Sequence, residues 1–352
     1  MPDAFNLGDF EAIARASMAP ERFDYVAGGA GEERSLADNR AAFRRYQLRP
    51  RVLVDVSRVD LGTTLLGTPV ALPVGVAPMA MQGLAHHEGE LPLARAASTT
   101  GALYCLSTVS SRSLEEVAEV SSGPRWFQLY VNNRPQARRL VERADAAGYG
   151  AIVLTVDLPE LGYRERDLRN AFELIGPWGN LPANDRDGLD DVLDMRAVAL
   201  TWADLAEIRS WSSLPLVIKG ILTAEDALLA VEHNANGIIV SNHGGRQLDA
   251  VVAPVDALRE VVAAVDGRAE VYLDGGVRRA TDVLVALALG ARAVFIGRPF
   301  FYALSIGDEG VARAFAIVRE ELELAMALLG TPSVDRVGAE HVRRDARIGG
   351  DA

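Results

Sequence analysis

The reading of this chain turns on the stretch Gly237-Ile238-Ile239-Val240-Ser241-Asn242-His243-Gly244-Gly245-Arg246-Gln247-Leu248-Asp249. Its first four residues are an apolar run of the kind that forms a buried strand. Gly244 and Gly245 let the backbone turn sharply and leave no side chain to obstruct a ligand. His243 and Arg246 follow the strand three residues apart. An imidazole takes a proton near neutral pH. A guanidinium grips a carboxylate or phosphate through two parallel hydrogen bonds. In isolation such a segment reads as a surface turn. With the rest of the chain it pairs a base with an anion clamp, which suits oxidation of, or proton abstraction from, a small anionic substrate.

The same unit recurs from residue 70 onward. Apolar runs ending in small or polar residues lie at Pro73 to Ala77, Ala102 to Leu106, Trp126 to Tyr130, Ala151 to Thr155, Leu216 to Lys219, Gly237 to Ser241, Val271 to Leu273 and Ala293 to Ile296, eight in all. Each but the last is followed by a helical pattern, among them Ala137 to Ala147, Ala224 to Asn234, Val255 to Val265 and Thr281 to Leu289. Eight strand-helix alternations predict an α/β fold, a (β/α)8 TIM barrel. Most runs start 20 to 35 residues apart, but Ala151 and Leu216 are 65 apart. The excess, Leu158 to Leu200, holds a Gly176-Pro177-Trp178-Gly179 turn and the acidic run Asn184 to Asp191. It predicts a polar excursion over the barrel mouth after the fourth strand, a lid or a mobile loop. Residues 1–69 read as an N-terminal helical extension, with helical spacing at Leu7 to Ala16, Pro20 to Val26 and Glu32 to Tyr46 and a break at Gly28, Gly29 and Gly31. The expected organisation is one domain over residues 1–352.

Composition narrows the function. The chain has 352 residues, 49% hydrophobic and 24% charged, with a net charge of −12. That balance argues against nucleic acid, where a basic surface is expected. An anionic substrate must then be attracted locally. Surface charge is screened over about 8 Å at physiological salt, so a few arginines inside a pocket outweigh the global sign. The single cysteine, Cys105, allows no intrachain disulfide and reads as a small core residue. No signal-peptide core, membrane span or peroxisomal address is visible, so a soluble cytoplasmic protein is expected.

In a barrel of this kind the active site gathers where the strands end. Those ends read Ala77-Pro78-Met79-Ala80, Ser107-Thr108, Gln128-Leu129-Tyr130, Thr155-Val156-Asp157, Lys219-Gly220, Ser241-Asn242-His243, Asp274-Gly275-Gly276-Val277-Arg278 and Gly297-Arg298-Pro299. A purely structural barrel has no reason to place polar groups along one rim this way. Gly275, Gly276 and Gly297, with Arg278 and Arg298, look like a phosphate cradle at the position after the last two strands where barrels commonly bind phosphate.

Ser241 to Asp249 resembles the signature of the FMN-dependent 2-hydroxy acid oxidases and dehydrogenases, the family of glycolate, lactate and mandelate oxidising enzymes. The likeness runs from about Phe10 to Leu329 and includes Asp24-Tyr25, Glu88-Gly89-Glu90, Phe127 to Tyr130, Leu154 to Asp157, Val217 to Gly220, Leu273 to Arg278 and Phe295 to Pro299. The resemblance implies FMN across the barrel mouth. Its phosphate would meet Gly276, Arg278, Gly297 and Arg298. Its ring and ribityl chain would be held by Ala77, Pro78, Met79, Ser107, Gln128, Thr155, Ser241, Asp274 and Gly275, with Lys219 near the ring. The resemblance also implies an (S)-2-hydroxy carboxylate held by Arg246 and Arg164 and hydrogen-bonded by Tyr130 and Tyr25. His243 would act as base and Asp157 would orient it. Oxygen is the expected electron acceptor, giving hydrogen peroxide; a quinone or cytochrome acceptor and a flavin-binding barrel without turnover are the alternatives. By the same resemblance the chain is expected to form a homotetramer.

The pocket departs from the glycolate oxidase pattern, where a Trp tends to stand in place of Val109. With Ala80, Val109 predicts more apolar room and so a lactate-like or mandelate-like acid. Other candidates read as structural. No metal site is expected: the side chains of His86 and His87 should point apart, with no third ligand beside Glu88. His233 and His341 are expected to be exposed. Gly28-Gly29-Ala30-Gly31 is not a dinucleotide fingerprint, because no strand precedes it.

Overall fold

The computed structural model describes residues 4–174, 176–181 and 200–345. The chain opens with three helices, α1 (Asp9–Ser17), α2 (Pro20–Ala27) and α3 (Arg34–Ala41), followed by a short 3-10 turn. Three short strands come next: β1 (Tyr46–Leu48), β2 (Thr63–Leu65) and β3 (Thr68–Val70). The expectation that residues 1–69 are helical is therefore corrected for their second half. β2 and β3 form a hairpin, and β1 pairs antiparallel with β12 (Val342–Arg344) from the other end of the chain. Strands this short carry too few residues to show a period, which is why the sequence pattern missed them.

The barrel consists of β4 (Val74–Val76), β5 (Leu103–Ser107), β6 (Arg125–Leu129), β7 (Ile152–Thr155), β8 (Leu216–Ile221), β9 (Gly237–Val240), β10 (Glu270–Asp274) and β11 (Ala293–Ile296). Neighbours pair in chain order, all parallel, and β11 closes the ring onto β4. Each predicted run is a strand of this ring to within a residue or two. One expectation fails at the end: the last strand is also followed by helices, Arg298–Leu304 and the 22-residue Asp308–Leu329. The longer of these buries Val311, Ala314, Phe315, Val318, Leu322 and Met326, which recur at helical spacing.

Two apolar layers hold the barrel together. The larger lies between strands and helices. The smaller fills the barrel and includes Trp126, Tyr272 and Phe295, fully buried and packed edge-to-face or tilted at centroid distances of 5.4 to 5.9 Å. Each such aromatic pair contributes roughly 0.5–1.5 kcal/mol beyond its buried area. Glycine makes room for them: a Cβ on Gly75 would stand 2.9 Å from the Phe295 ring, and one on Gly237 2.9 Å from that of Tyr272. Leu65 and Val70 of the hairpin join this inner layer, and Leu66 N donates to the Glu270 carboxylate at 3.1 Å. The hairpin therefore plugs the end of the barrel where the strands begin and leaves the opposite end free for a site.

The excursion after β7 begins by crossing that free end. A short helix, Glu165–Arg169, docks on α2, where Arg166 pairs with Asp24 and Glu33. Further on, Asn180 is buried: its Nδ2 donates to Thr108 O at 3.1 Å and its Oδ1 accepts from Leu114 N at 2.9 Å. The acidic run Asn184 to Asp191 lies outside the described residues. Among the described residues, no helix is long and apolar enough to cross a membrane.

Candidate active site

β9 ends in a left-handed turn. His243, Gly244 and Gly245 take φ of 56°, 64° and 74°. Asn242 closes the turn by accepting Gly245 N on its Oδ1 at 3.1 Å, and Ser241 Oγ accepts His243 N at 3.0 Å. This turn aims the imidazole into the barrel mouth. His243 Nδ1 lies 2.9 Å from Asp157 Oδ1, beyond β7, and Nε2 lies 3.5 Å from the Tyr130 hydroxyl. With the Nδ1 proton donated to Asp157, Nε2 is left as the basic atom. Burial lowers the His243 pKa, against the pull of Asp157, which raises it. Burial pushes Asp157 up, but His243 and Lys219 outweigh it and hold the carboxyl below its ordinary value.

β8 bulges between Lys219 and Ile221. At the bulge Gly220 takes φ 111°, and a Cβ there would stand 2.6 Å from Asp157 Cβ. Glycine thus lets Asp157 close on the strand. The neighbouring Lys219 turns inward, with Nζ 3.1 Å from Ser241 Oγ and 3.5 Å from Asp274 Oδ2. Burial lowers the Lys219 pKa, but Asp274 and Asp157 more than reverse this and keep it charged.

Four arginines stand around the same cavity with no carboxylate partner among the described residues. Arg246 lies over the Tyr25 ring, its guanidinium carbon 4.8 Å from the centroid, and donates to the Tyr25 and Gly28 carbonyls. Arg164, from the excursion, donates to Arg246 O and Gln247 Oε1, both at 3.2 Å. Arg298 donates to the carbonyls of Val26, Gly28 and Gly244, and Arg278 to that of Val277. Burial and the nearby Arg246 push Arg164 down to about 10 and Arg298 down to about 9. Burial and Arg40 likewise lower Arg278. Buried cations without counter-charges make a field that an anion relieves.

The cavity has an empty volume of about 1300 Å³ including its open mouth. Its lining includes Tyr25, Ala77, Pro78, Met79, Ser107, Tyr130, Arg164, Lys219, His243, Arg246, Asp274, Gly275, Gly276, Arg278, Gly297 and Arg298, so the structure gathers most of the expected residues at one place. Gln128, Thr155, Ser241 and Asp157 stand one layer behind. Gln128 Oε1 accepts from Ser107 Oγ and its Nε2 donates to Thr155 Oγ1, which stiffens the wall. An FMN molecule fits this inventory. Guanidinium groups suit a phosphate, Lys219 suits an electron-rich ring edge, and the buried Asp274 Oδ1, without a partner here, suits a ribityl hydroxyl. Gly275 and Gly276, at φ 96° and 85°, keep the backbone bare beside Arg278.

Sequence reading missed several contributors. Leu158, Leu161 and Leu174 from the excursion and Phe301 from the helix after β11 add apolar lining. Phe172 stacks on Tyr25 with centroids 4.8 Å apart. Gln247 donates through Nε2 to the carbonyls of Asp157 and Glu160, which ties the start of the excursion to the His243 loop. Gln247 sits inside the signature stretch, which is the one signal that pointed to it. Three histidine expectations are corrected. The His86 and His87 rings face each other at 4.3 Å and, with Glu88, bring ligand-capable atoms within 4.8 Å of one another, although Arg95 engages the Glu88 carboxylate. They meet because the loop folds back on itself, so alternate pointing of adjacent residues does not apply. His341 is buried, because the β1–β12 pairing draws the C-terminal segment onto the barrel; Gly338 N donates to its Nδ1. His233 is half-buried against Trp202, and Cys105 lies inside the barrel, where burial raises its thiol pKa.

Residues 14–344 match the family described as FMN-dependent dehydrogenase. The chain is 51% identical to an L-lactate oxidase of Nostoc sp. over 92% of this chain and 94% of the relative. It is 47% identical to a glycolate oxidase of Spinacia oleracea, over 97% and 96%. A crystal structure of mandelate oxidase with (S)-4-hydroxymandelic acid superposes with a TM-score of 0.91 at 44% identity, covering 97% of this chain and 98% of that one. The chain belongs to the FMN-dependent dehydrogenase family, and its cofactor is FMN.

Proposed function

We propose that this protein oxidises an (S)-2-hydroxy acid to the 2-oxo acid, with oxygen as the terminal acceptor and hydrogen peroxide as the second product. The observation that carries this reading is His243, 2.9 Å from Asp157 and lining one cavity with Arg164 and Arg246, two arginines with no carboxylate partner among the described residues. Bound FMN would supply the two-electron acceptor for oxidation at C2 of the acid, and oxygen would be the final oxidant.

The protein's own groups do the rest. Arg246 and Arg164 clamp the substrate carboxylate, each charge-assisted hydrogen bond being of the strong class. Tyr130 and Tyr25 hold its oxygens. His243 Nε2 removes the hydroxyl proton, and Asp157 stabilises the imidazolium that results. FMN would be held by Arg278, Arg298, Gly276 and Gly297 at the phosphate, and by Ala77 to Met79, Ser107, Gln128, Thr155, Lys219, Ser241, Asp274 and Gly275 elsewhere.

Val109, Ala80, Leu161 and Leu174 add apolar lining to the cavity. This supports a lactate-like or mandelate-like side chain over glycolate, since a small acid leaves such walls wet. Homotetrameric assembly belongs to the same proposal by resemblance. The test is anaerobic titration of the yellow holoenzyme with a panel of (S)-2-hydroxy acids, followed by air. Bleaching by lactate or mandelate and rapid return of colour with peroxide are expected. No bleaching by any acid would overturn the activity, and bleaching without reoxidation in air would move the acceptor to a quinone or cytochrome.

A further inference from the structure

The turn that carries His243 is gripped from outside the barrel by the N-terminal extension: Ala30 N donates to Gly245 O at 2.9 Å, and Asn39 engages the side chain that closes the turn. Asn39, on α3, is 2% exposed. Its amide faces that of Asn242: Asn39 Nδ2 donates to Asn242 Oδ1 at 2.8 Å, and Asn242 Nδ2 donates to Asn39 Oδ1 at 2.7 Å. Asn242 Oδ1 is also the acceptor for Gly245 N, so the pair locks the group that closes the turn. His243 within that turn has φ 56°. A left-handed histidine is strained and persists where surrounding bonds over-determine it.

The main chain of Asn39 meets a second part of the site. A Cβ on Gly276 would stand 1.9 Å from Asn39 O, and one on Gly275 3.4 Å from Asn39 Nδ2. Gly275 and Gly276 lie in the turn after β10, where the cofactor phosphate is expected. One buried residue, far from both turns in the chain, therefore touches the turn of the base and packs on the turn of the cradle. Buried amide pairs of this kind are satisfied in one arrangement, so they specify position as well as stability.

We infer that Asn39 is a positioning residue that sets the His243 turn in register with the cofactor-holding Gly275–Gly276 turn, acting through Asn242 and without touching substrate. The inference rests on the reading of His243 as base. Asp157 beyond β7, Lys219 on β8, Tyr130 beyond β6 and Arg164 of the excursion face that imidazole. Asp157 raises its pKa, while Lys219 and Arg164 lower it. Burial lowers the imidazole pKa and the Asp157 contact raises it, so a relaxed turn changes both and shifts the pH at which the base becomes active.

The test compares wild-type holoenzyme with Asn39→Ala and Asn39→Ser. The serine adds no charge and keeps a hydroxyl toward the Asn242 amide, so it is read wherever the alanine variant does not fold. In the folded holoenzyme kcat is expected to fall roughly 10- to 100-fold, the scale of a misplaced catalytic group. KM should change less than kcat, and the acid limb of the kcat/KM profile should shift from its wild-type position. FMN titrated into apoprotein, followed by fluorescence quenching, should show weaker binding than wild type. Variants with a lower Tm but an unchanged acid limb and unchanged FMN affinity would overturn the inference and leave Asn39 a purely structural residue. If wild-type flavin is not bleached by any 2-hydroxy acid, the reading of His243 falls, and the FMN titration still decides the link to the cradle.

Discussion

His243 is the base of the proposed reaction, and its surroundings decide when it works. His243→Ala removes the base without touching a cradle residue. The purified variant should remain yellow, while the rate of flavin reduction falls ~10²–10⁴-fold, the usual worth of a positioned base. Stopped-flow absorbance checks this, and normal reduction would assign the proton to another group. The pH dependence follows from the same residue. Only the neutral imidazole accepts a proton, so kcat/KM rises as pH climbs through the His243 pKa. Burial lowers that pKa further than Asp157 raises it. The acid limb should therefore lie below the ordinary histidine value of about 6.5. A limb above that value would show that a buried cost to the charged form is not what controls the base.

At the scale of elements, the bulge in β8 does what a regular strand could not. Through Gly220 at φ 111° it admits Asp157 beside the strand, directly after Lys219, which faces inward by strand alternation with Val217. Gly220→Ala puts a methyl group 2.6 Å from Asp157 Cβ in a backbone conformation alanine resists. We expect stability to fall by roughly 1–3 kcal/mol from crowding and flavin reduction to slow because Asp157 leaves His243. Thermal denaturation and single-turnover reduction measure the two effects separately. A slow but fully stable variant would place the bulge in catalysis alone. Elements were also where the sequence was most legible. Runs such as Ile152 to Thr155 and Ala293 to Ile296 are buried on both faces, so they stay apolar throughout and stand out. The hairpin Thr63–Val70 did not, because its strands are three residues each and only Leu65 and Val70 are buried.

Across the whole molecule, the charge balance and the site oppose each other. The chain carries −12 overall, yet its cavity holds Arg164, Arg246, Arg278 and Arg298. Long-range repulsion of an anionic substrate is screened at about 8 Å in physiological salt, while buried contacts are screened far less. Raising sodium chloride from low ionic strength to roughly 0.15 M should therefore leave kcat/KM unchanged or higher. A steep fall would mean that exposed cations, and not the buried clamp, capture the substrate.

The sequence by itself determined the ring of eight strands and the rim of polar residues at their ends, and it singled out His243 and the arginines as candidates. Those are properties of short segments: a buried strand must be apolar, and a ligand turn must be bare and polar. Tertiary structure decided which distant segments meet. Asp157 reaches His243 across 86 positions and Asn39 reaches Asn242 across 203. Phe172 comes to stack on Tyr25 because the excursion folds back over α2. No local pattern encodes those meetings. A hydrogen bond or a ring stack depends on where the closed barrel brings two turns together, and that placement exists once the ring has closed and the N-terminal helices have packed across its mouth.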